Sequence, residues 1–149
     1  MDGLRRAFGS RLKTIVVFGS RARGEAGQGS DVDVFIVVDG LARDPVARQR
    51  EARGWMIDCV ADLPGPLGLV CRTPREFESD LTPLFLDVCV DGICLYGDVY
   101  FEPYRRRALS ALQASGLRRR RIGNAWHWLF PGAPPRYWQL SWDGYRERS

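Results

Sequence analysis

Between two apolar runs, Thr14 to Phe18 (TIVVF) and Asp31 to Val38 (DVDVFIVV), the chain reads Gly19-Ser20, then ten residues, then Asp31-Val32-Asp33. Gly19 has no side chain to hold a phosphate at a distance. Ser20 can cap the helical turn expected after it and donate its hydroxyl to a phosphate oxygen. Arg21 and Arg23 add positive charge beside it. Asp31 and Asp33 stand two apart on an expected strand, so both carboxylates face the same way. Adjacent carboxylates repel unless a cation joins them, and Mg²⁺ favours one or two carboxylates completed by substrate phosphates. A phosphate cradle beside a paired-aspartate strand suits in-line phosphoryl or nucleotidyl transfer.

These residues need a scaffold, and its elements are legible. Leu4, Phe8 and Leu12 recur every four residues, which predicts an amphipathic helix over residues 3–12. TIVVF reads as a buried strand, Asp31 to Val38 as a second and Leu67 to Arg72 (LGLVCR) as a third. Pro45 to Ala61 reads as a helix opening on proline and stopped by Pro64-Gly65-Pro66. Thr73 and Glu76 have capping-box spacing ahead of a short helix, Pro74 to Asp80. A further helix is expected over Leu81 to Val90, a last short strand over Ile93 to Tyr96, and an amphipathic helix from Glu102 to Ser115 closed by Gly116.

The 149 residues, 45% of them apolar, can form one domain with a real core. The apolar runs are far short of a membrane span and no signal-peptide pattern opens the chain, so a cytoplasmic protein without membrane contact is expected. The cysteines, Cys59, Cys71, Cys89 and Cys94, form no Cys-x-x-Cys pair and lie in apolar stretches, which predicts buried thiols rather than a zinc site. The net charge of +4 conceals a division: residues 1–102 hold 12 basic and 16 acidic groups, residues 103–149 hold 10 and 2. That second part also carries eight of the aromatic residues. The expected organisation is a domain over residues 1–98 and a helix with a basic, aromatic extension over 99–149.

The stretch Gly19, Ser20, Ala22, Arg23, Gly24 … Ser30, Asp31, Asp33 resembles the minimal nucleotidyltransferase domains of the DNA polymerase β superfamily, whose pattern is Gly-Ser, a gap of about ten residues and Asp-x-Asp. Pro83-Leu84-Phe85 and Asp91 to Tyr96 resemble the ending of the same domain. The resemblance implies an α/β (α+β) fold, a small mixed sheet flanked by helices. It also implies Mg²⁺ or Mn²⁺ on Asp31 and Asp33, and ATP or another NTP against Gly19, Ser20, Arg21, Arg23 and Ser30. The activity implied is NMP transfer to an acceptor hydroxyl. Such enzymes carry a third carboxylate on the third core strand, in a pattern much like P-V-D-L-V-V-x-T-P-E-E-F. Here the segment runs Pro66-Leu67-Gly68-Leu69-Val70-Cys71-Arg72-Thr73-Pro74-Arg75-Glu76-Phe77, with Gly68 in the aspartate's place. Asp58 is an alternative third acid if its segment is a strand rather than a helix, and Asp62 is another. Without a third acid the chain is instead a nucleotide-binding or antitoxin-like interaction module.

Partners follow from the same two sources. The resemblance implies a protein acceptor or a HEPN-type toxin partner. The basic run Arg118 to Arg121, with tryptophans nearby, has the chemistry to bind nucleic acid, although packing of the tryptophans on the body is the preferred reading. An acidic body and a basic tail also allow a homo-oligomer. His127, between two tryptophans, is assigned no chemistry.

Overall fold

The computed structural model describes residues 2–60 and 63–148. Four strands form one sheet in the order β3-β2-β1-β4: β1 (Leu12–Phe18), β2 (Val32–Val38), β3 (Leu67–Arg72) and β4 (Ile93–Tyr96). β1 runs antiparallel to both β2 and β4, and β2 runs parallel to β3, so the sheet is mixed as expected. The two most continuously apolar strands, β1 and β2, occupy its centre because only there are both faces covered.

Helices cover the two faces unequally. On one side, α1 (Asp2–Phe8) and α3 (Pro45–Val60) bring Leu4, Phe8 and Ala52 against Ile15, Val34 and Ile36. On the other, α4 (Pro74–Ser79), α5 (Pro83–Asp91) and α6 (Asp98–Ser115) surround Val16, Phe35 and Val37 with Phe77, Phe85 and Phe101. Phe35, Phe77 and Phe85 meet edge-on or tilted at 5.1–5.6 Å between centroids, the geometry aromatic quadrupoles favour.

β3 is an outer strand, and its edge is covered by side chains of α3. Arg53 donates to the carbonyl of Leu67, Gln49 to that of Leu69 and Arg48 to that of Cys71. Edge carbonyls that would otherwise template another strand are thereby occupied. Arg48, only 8% exposed, also forms a bidentate pair at 2.8 Å with Glu76, clipping α3 to α4 around the sheet edge. Glu76 meanwhile closes the expected capping box with Thr73. Chiefly through the Arg48 hydrogen bonds, its carboxyl is held below its ordinary value of 4.5. A depressed folded value means stability that is present above the ordinary value and lost as pH falls through the folded one. Glu76→Gln is therefore expected to cost about 1 kcal/mol at neutral pH, allowing for solvent screening at the exposed side. In urea unfolding the variant and wild-type curves should converge in acid. A difference that persists there would exclude the charge as its origin.

Several boundaries differ from the sequence expectations; β2 opens at Val32, so Asp31 precedes the strand on which it was expected. The first helix stops at Phe8, a 3-10 turn follows over Gly9–Arg11, and Leu12 opens β1. Leu12 joins Leu4 and Phe8 in the same cluster all the same, since a chain reversal serves burial as well as a helical repeat. The helix expected from Glu102 starts at Asp98, with Pro103 inside it. Phe101, fully buried, holds that first turn against the sheet, and the amides of Tyr100 and Phe101 both bond to the Gly97 carbonyl. α5 begins at Pro83, with Thr82 as its cap. Ala61 and Asp62 lie outside the described residues. The backbone at Asp58 is helical, so the strand that would have presented it as a third acid is not formed.

The tail is two antiparallel hairpins, β5 (Arg118–Ile122) with β6 (Ala125–Leu129), and β7 (Tyr137–Ser141) with β8 (Gly144–Arg148). Its charge differs from the body's, but its packing is continuous with it. Trp142, in the second turn, is 4% exposed and belongs to the same core cluster as Phe35 and Phe77. Cys71 and Cys89 are buried, and burial raises their thiols to about 11 and about 12. Cys94 is half-buried, and the side chain of Cys59 lies outside the described residues.

Candidate active site

The site lies where β1 ends and β2 begins. Phe18 is paired with Asp33 across the β1–β2 ladder, and Asp33 is in register with Gly68 on β3. Asp33 therefore stands between two glycines. Gly19, at φ +75°, occupies a conformation that side chains rarely adopt, and a methyl group there would collide with Oδ2 of Asp33. A methyl group at Gly68 would come within 2.5 Å of Oδ1. The carboxylate fills space that both glycines leave open.

Asp31 is exposed just before β2, and Asp33 is half-buried within it. Burial, and then the charge of Asp31, raise the Asp33 carboxyl above its ordinary value, while Arg23 opposes them weakly. A pair whose charges disfavour each other next to an open backbone shelf fits a hard divalent cation. Among the described residues no group of three or more His, Cys, Asp or Glu side chains converges on one point. Gly68 accounts for this on the site's own face: the parallel register places it beside Asp33, where a third carboxylate would project.

The Gly-Ser turn opens α2 (Gly19–Ala22), capped from Phe18 without a side-chain bond. Ser20 thus lies inside the helical turn instead of capping it, since the cap is Phe18, two residues earlier. Its hydroxyl has no capping duty. Arg21 donates to the carbonyls of Ser30 and Pro64, fastening the loop between α2 and β2 to the segment before β3. The Ser30 hydroxyl accepts from the Gly27 amide and shapes that loop. Arg23 is paired with Glu25 at 2.9 Å and Asp91 at 3.0 Å. Of the expected residues, Gly19, Asp31, Asp33 and Gly68 come together at the sheet, while Arg21, Arg23 and Ser30 organise the loop beside them.

A second network adjoins the first. Asp91, whose side chain is 7% exposed, takes Arg23 on one oxygen and Arg119 of β5 on the other. Arg119 also reaches Asp87 at 3.0 Å, lies over the Trp128 ring at 4.8 Å, and shares Asp87 with the Trp128 indole N–H. The tail's first hairpin is thereby tied to the loop of the Gly-Ser turn through one carboxylate. Cross-strand register places Arg119 opposite Trp128 on one face of the hairpin.

Over 102 residues the chain is 26% identical to a candidate protein adenylyltransferase of Methanocaldococcus jannaschii, covering 67% of this chain and 69% of the relative. In fold it is similar to a chain of a toxin-antitoxin crystal structure with AMP-PNP, at TM-score 0.53 and 22% identity over 77% of this chain and 88% of that one. It is equally similar to a chain of the MntA-HpeT toxin-antitoxin bearing two aspartate-to-glutamate substitutions, at TM-score 0.52 and 22% identity over 76% of this chain and 84% of that one. Residues 1–84 match the family model of the nucleotidyltransferase domain, and with its mixed sheet and its Gly19-Ser20 turn set against Asp33, the chain belongs to that family.

Proposed function

We propose that the protein is a metal-dependent nucleotidyltransferase that takes an NTP, ATP foremost, and transfers NMP to an acceptor hydroxyl. The observation that carries this is the position of Asp33 between Gly19 and Gly68, with Asp31 beside it, at the mouth of the Gly-Ser turn. Asp31 and Asp33 would hold Mg²⁺ or Mn²⁺, which neutralises the triphosphate and stabilises charge on the transferring phosphoryl group. The chain's own contribution is positional. Gly19 admits the phosphates close to the backbone, Ser20 offers a free hydroxyl, and Arg21 holds the loop through Ser30 so that Asp31 meets the nucleotide. The M. jannaschii relative, in name a candidate protein adenylyltransferase, and the AMP-PNP of a fold neighbour support ATP as donor and a protein as acceptor or partner.

Gly68 favours a second reading, a nucleotide-binding antitoxin-like module with no turnover, since no carboxylate stands there to receive the acceptor's proton. One experiment separates the two. MgATP is titrated into the wild type by calorimetry, and pyrophosphate release is followed with protein and nucleotide acceptors. Binding with release establishes the enzyme. Binding without release establishes the module. Absence of MgATP binding would sink both. No helix among the described residues is long and apolar enough to cross a membrane.

A further inference from the structure

The tail's arginines and aromatics are not all spent on packing, and the second hairpin sorts them by face. Cross-strand pairing sets Leu140 against Tyr145 and Trp138 against Glu147 on one side. That side turns toward the protein: Leu140 packs on the core, and Phe130 meets Trp138 edge-on at 5.0 Å. The other side carries Tyr137 opposite Arg148 and Gln139 opposite Arg146. Tyr137 is 54% exposed, and the Arg136 guanidinium lies 5.3 Å from its ring centroid. A cavity of about 560 Å³ at this hairpin is lined by Tyr137, Trp138, Gln139, Arg146 and Arg148, the Trp138 ring being 45% exposed although its strand position faces the protein. Neither acid of the hairpin stands on this side. Glu147 is on the opposite face with the Tyr145 hydroxyl, and Asp143 pairs with Arg107.

We propose that this outer face of β7–β8 binds single-stranded nucleic acid. An exposed aromatic ring flanked by guanidinium groups along a strand offers a stacking surface for a base and cations for the phosphates on either side of it, while Gln139 can bond a base edge. A fully paired duplex keeps its bases stacked inward and cannot use Tyr137. The first hairpin contributes less than its four consecutive arginines promise, because Arg119 is held by Asp87 and Asp91 and covered by Trp128. The surface is independent of the nucleotide site, so it stands or falls separately from the transferase reading.

The test is fluorescence anisotropy with a labelled 12-nucleotide oligouridylate, the corresponding oligothymidylate and a duplex of equal length, in EDTA so that a metal–nucleotide site contributes nothing. The full chain is expected to bind both single strands more tightly than the duplex, with tryptophan quenching. Tyr137→Ala should weaken binding about 5- to 100-fold. Arg146→Gln/Arg148→Gln should lower the slope of log affinity against log salt by about 1.4, the share of two phosphate contacts on a single strand. Thermal melts of each variant verify that it is folded. Equal binding of duplex and single strand, competition by polyglutamate as strong as by oligouridylate, or folded variants that bind like wild type would each overturn the proposal.

Discussion

Asp33→Asn is expected to lower MgATP affinity by at least about 100-fold while raising the melting temperature of the metal-free protein. The two effects have one origin. The Asp33 carboxyl is raised by burial and by Asp31, so ionising it works against the folded state. A raised folded value means a contribution that is full below the ordinary carboxylate range and lost as pH rises through the folded value; at neutral pH the charge is a burden. Asparagine keeps the shape between Gly19 and Gly68 and removes the burden, but it cannot hold a divalent cation. Even groups that only support metal ligands are worth about 10–100-fold in affinity, and a ligand itself is worth no less. Differential scanning fluorimetry with and without MgATP reads both signs: the variant should melt higher than wild type without the ligand and gain little when it is added. A variant that melts lower without metal, or that binds MgATP as wild type does, would show that Asp33 is structural. This trade of stability for a charged site is what a binding reading demands and a scaffold reading does not.

Trp142→Ala is expected to cost about 3–5 kcal/mol, a large part of the 5–15 kcal/mol typical of a domain. The indole is almost wholly buried, meets Phe77 at 5.0 Å and Tyr104 at 5.2 Å, and donates its N–H to the Phe77 carbonyl at 2.9 Å. Truncation opens a cavity beside two aromatic rings and leaves that carbonyl without its partner. Trp142→Phe preserves most of the packing and should cost less, chiefly the hydrogen bond, about 1 kcal/mol plus the smaller ring. Urea unfolding followed by far-ultraviolet circular dichroism measures both. A loss below about 1 kcal/mol for the alanine variant would mean that residues 99–149 form an appendage whose folding is separate from the sheet's. The predicted loss supports one cooperative unit, which is our proposal for the domain organisation: a nucleotidyltransferase body over residues 1–98 with the remainder packed onto it.

The sequence alone determined the parts of this protein that obey short-range rules. TIVVF and VDVFIVV are strand because continuous β-branched and aromatic runs bury on both faces. Gly19-Ser20 and Asp31-x-Asp33 mark the candidate site because their chemistry depends on residue type and spacing within one strand-turn-strand unit. The Thr73–Glu76 box was legible for the same reason. Gly68 in place of a third carboxylate was legible only through the resemblance of the third-strand segment to the family pattern.

Only the tertiary structure decided which charges are free. Arg21 and Arg23 stand next to the Gly-Ser turn in sequence, yet their guanidinium groups turn to the Ser30 and Pro64 carbonyls and to Glu25 and Asp91. Arg118 to Arg121 look equivalent as a run, but strand alternation sends Arg119 inward to Asp87 and Asp91 and leaves Arg118 and Arg120 in solvent. Glu25 is a neighbour of Arg23, but Asp87 and Asp91 lie 28 to 68 residues along the chain from the arginines they hold. An arginine side chain reaches whichever acceptor the fold brings near, and pairings at such separation are set by how the sheet, α5 and the hairpin pack, which residue type and local spacing do not encode.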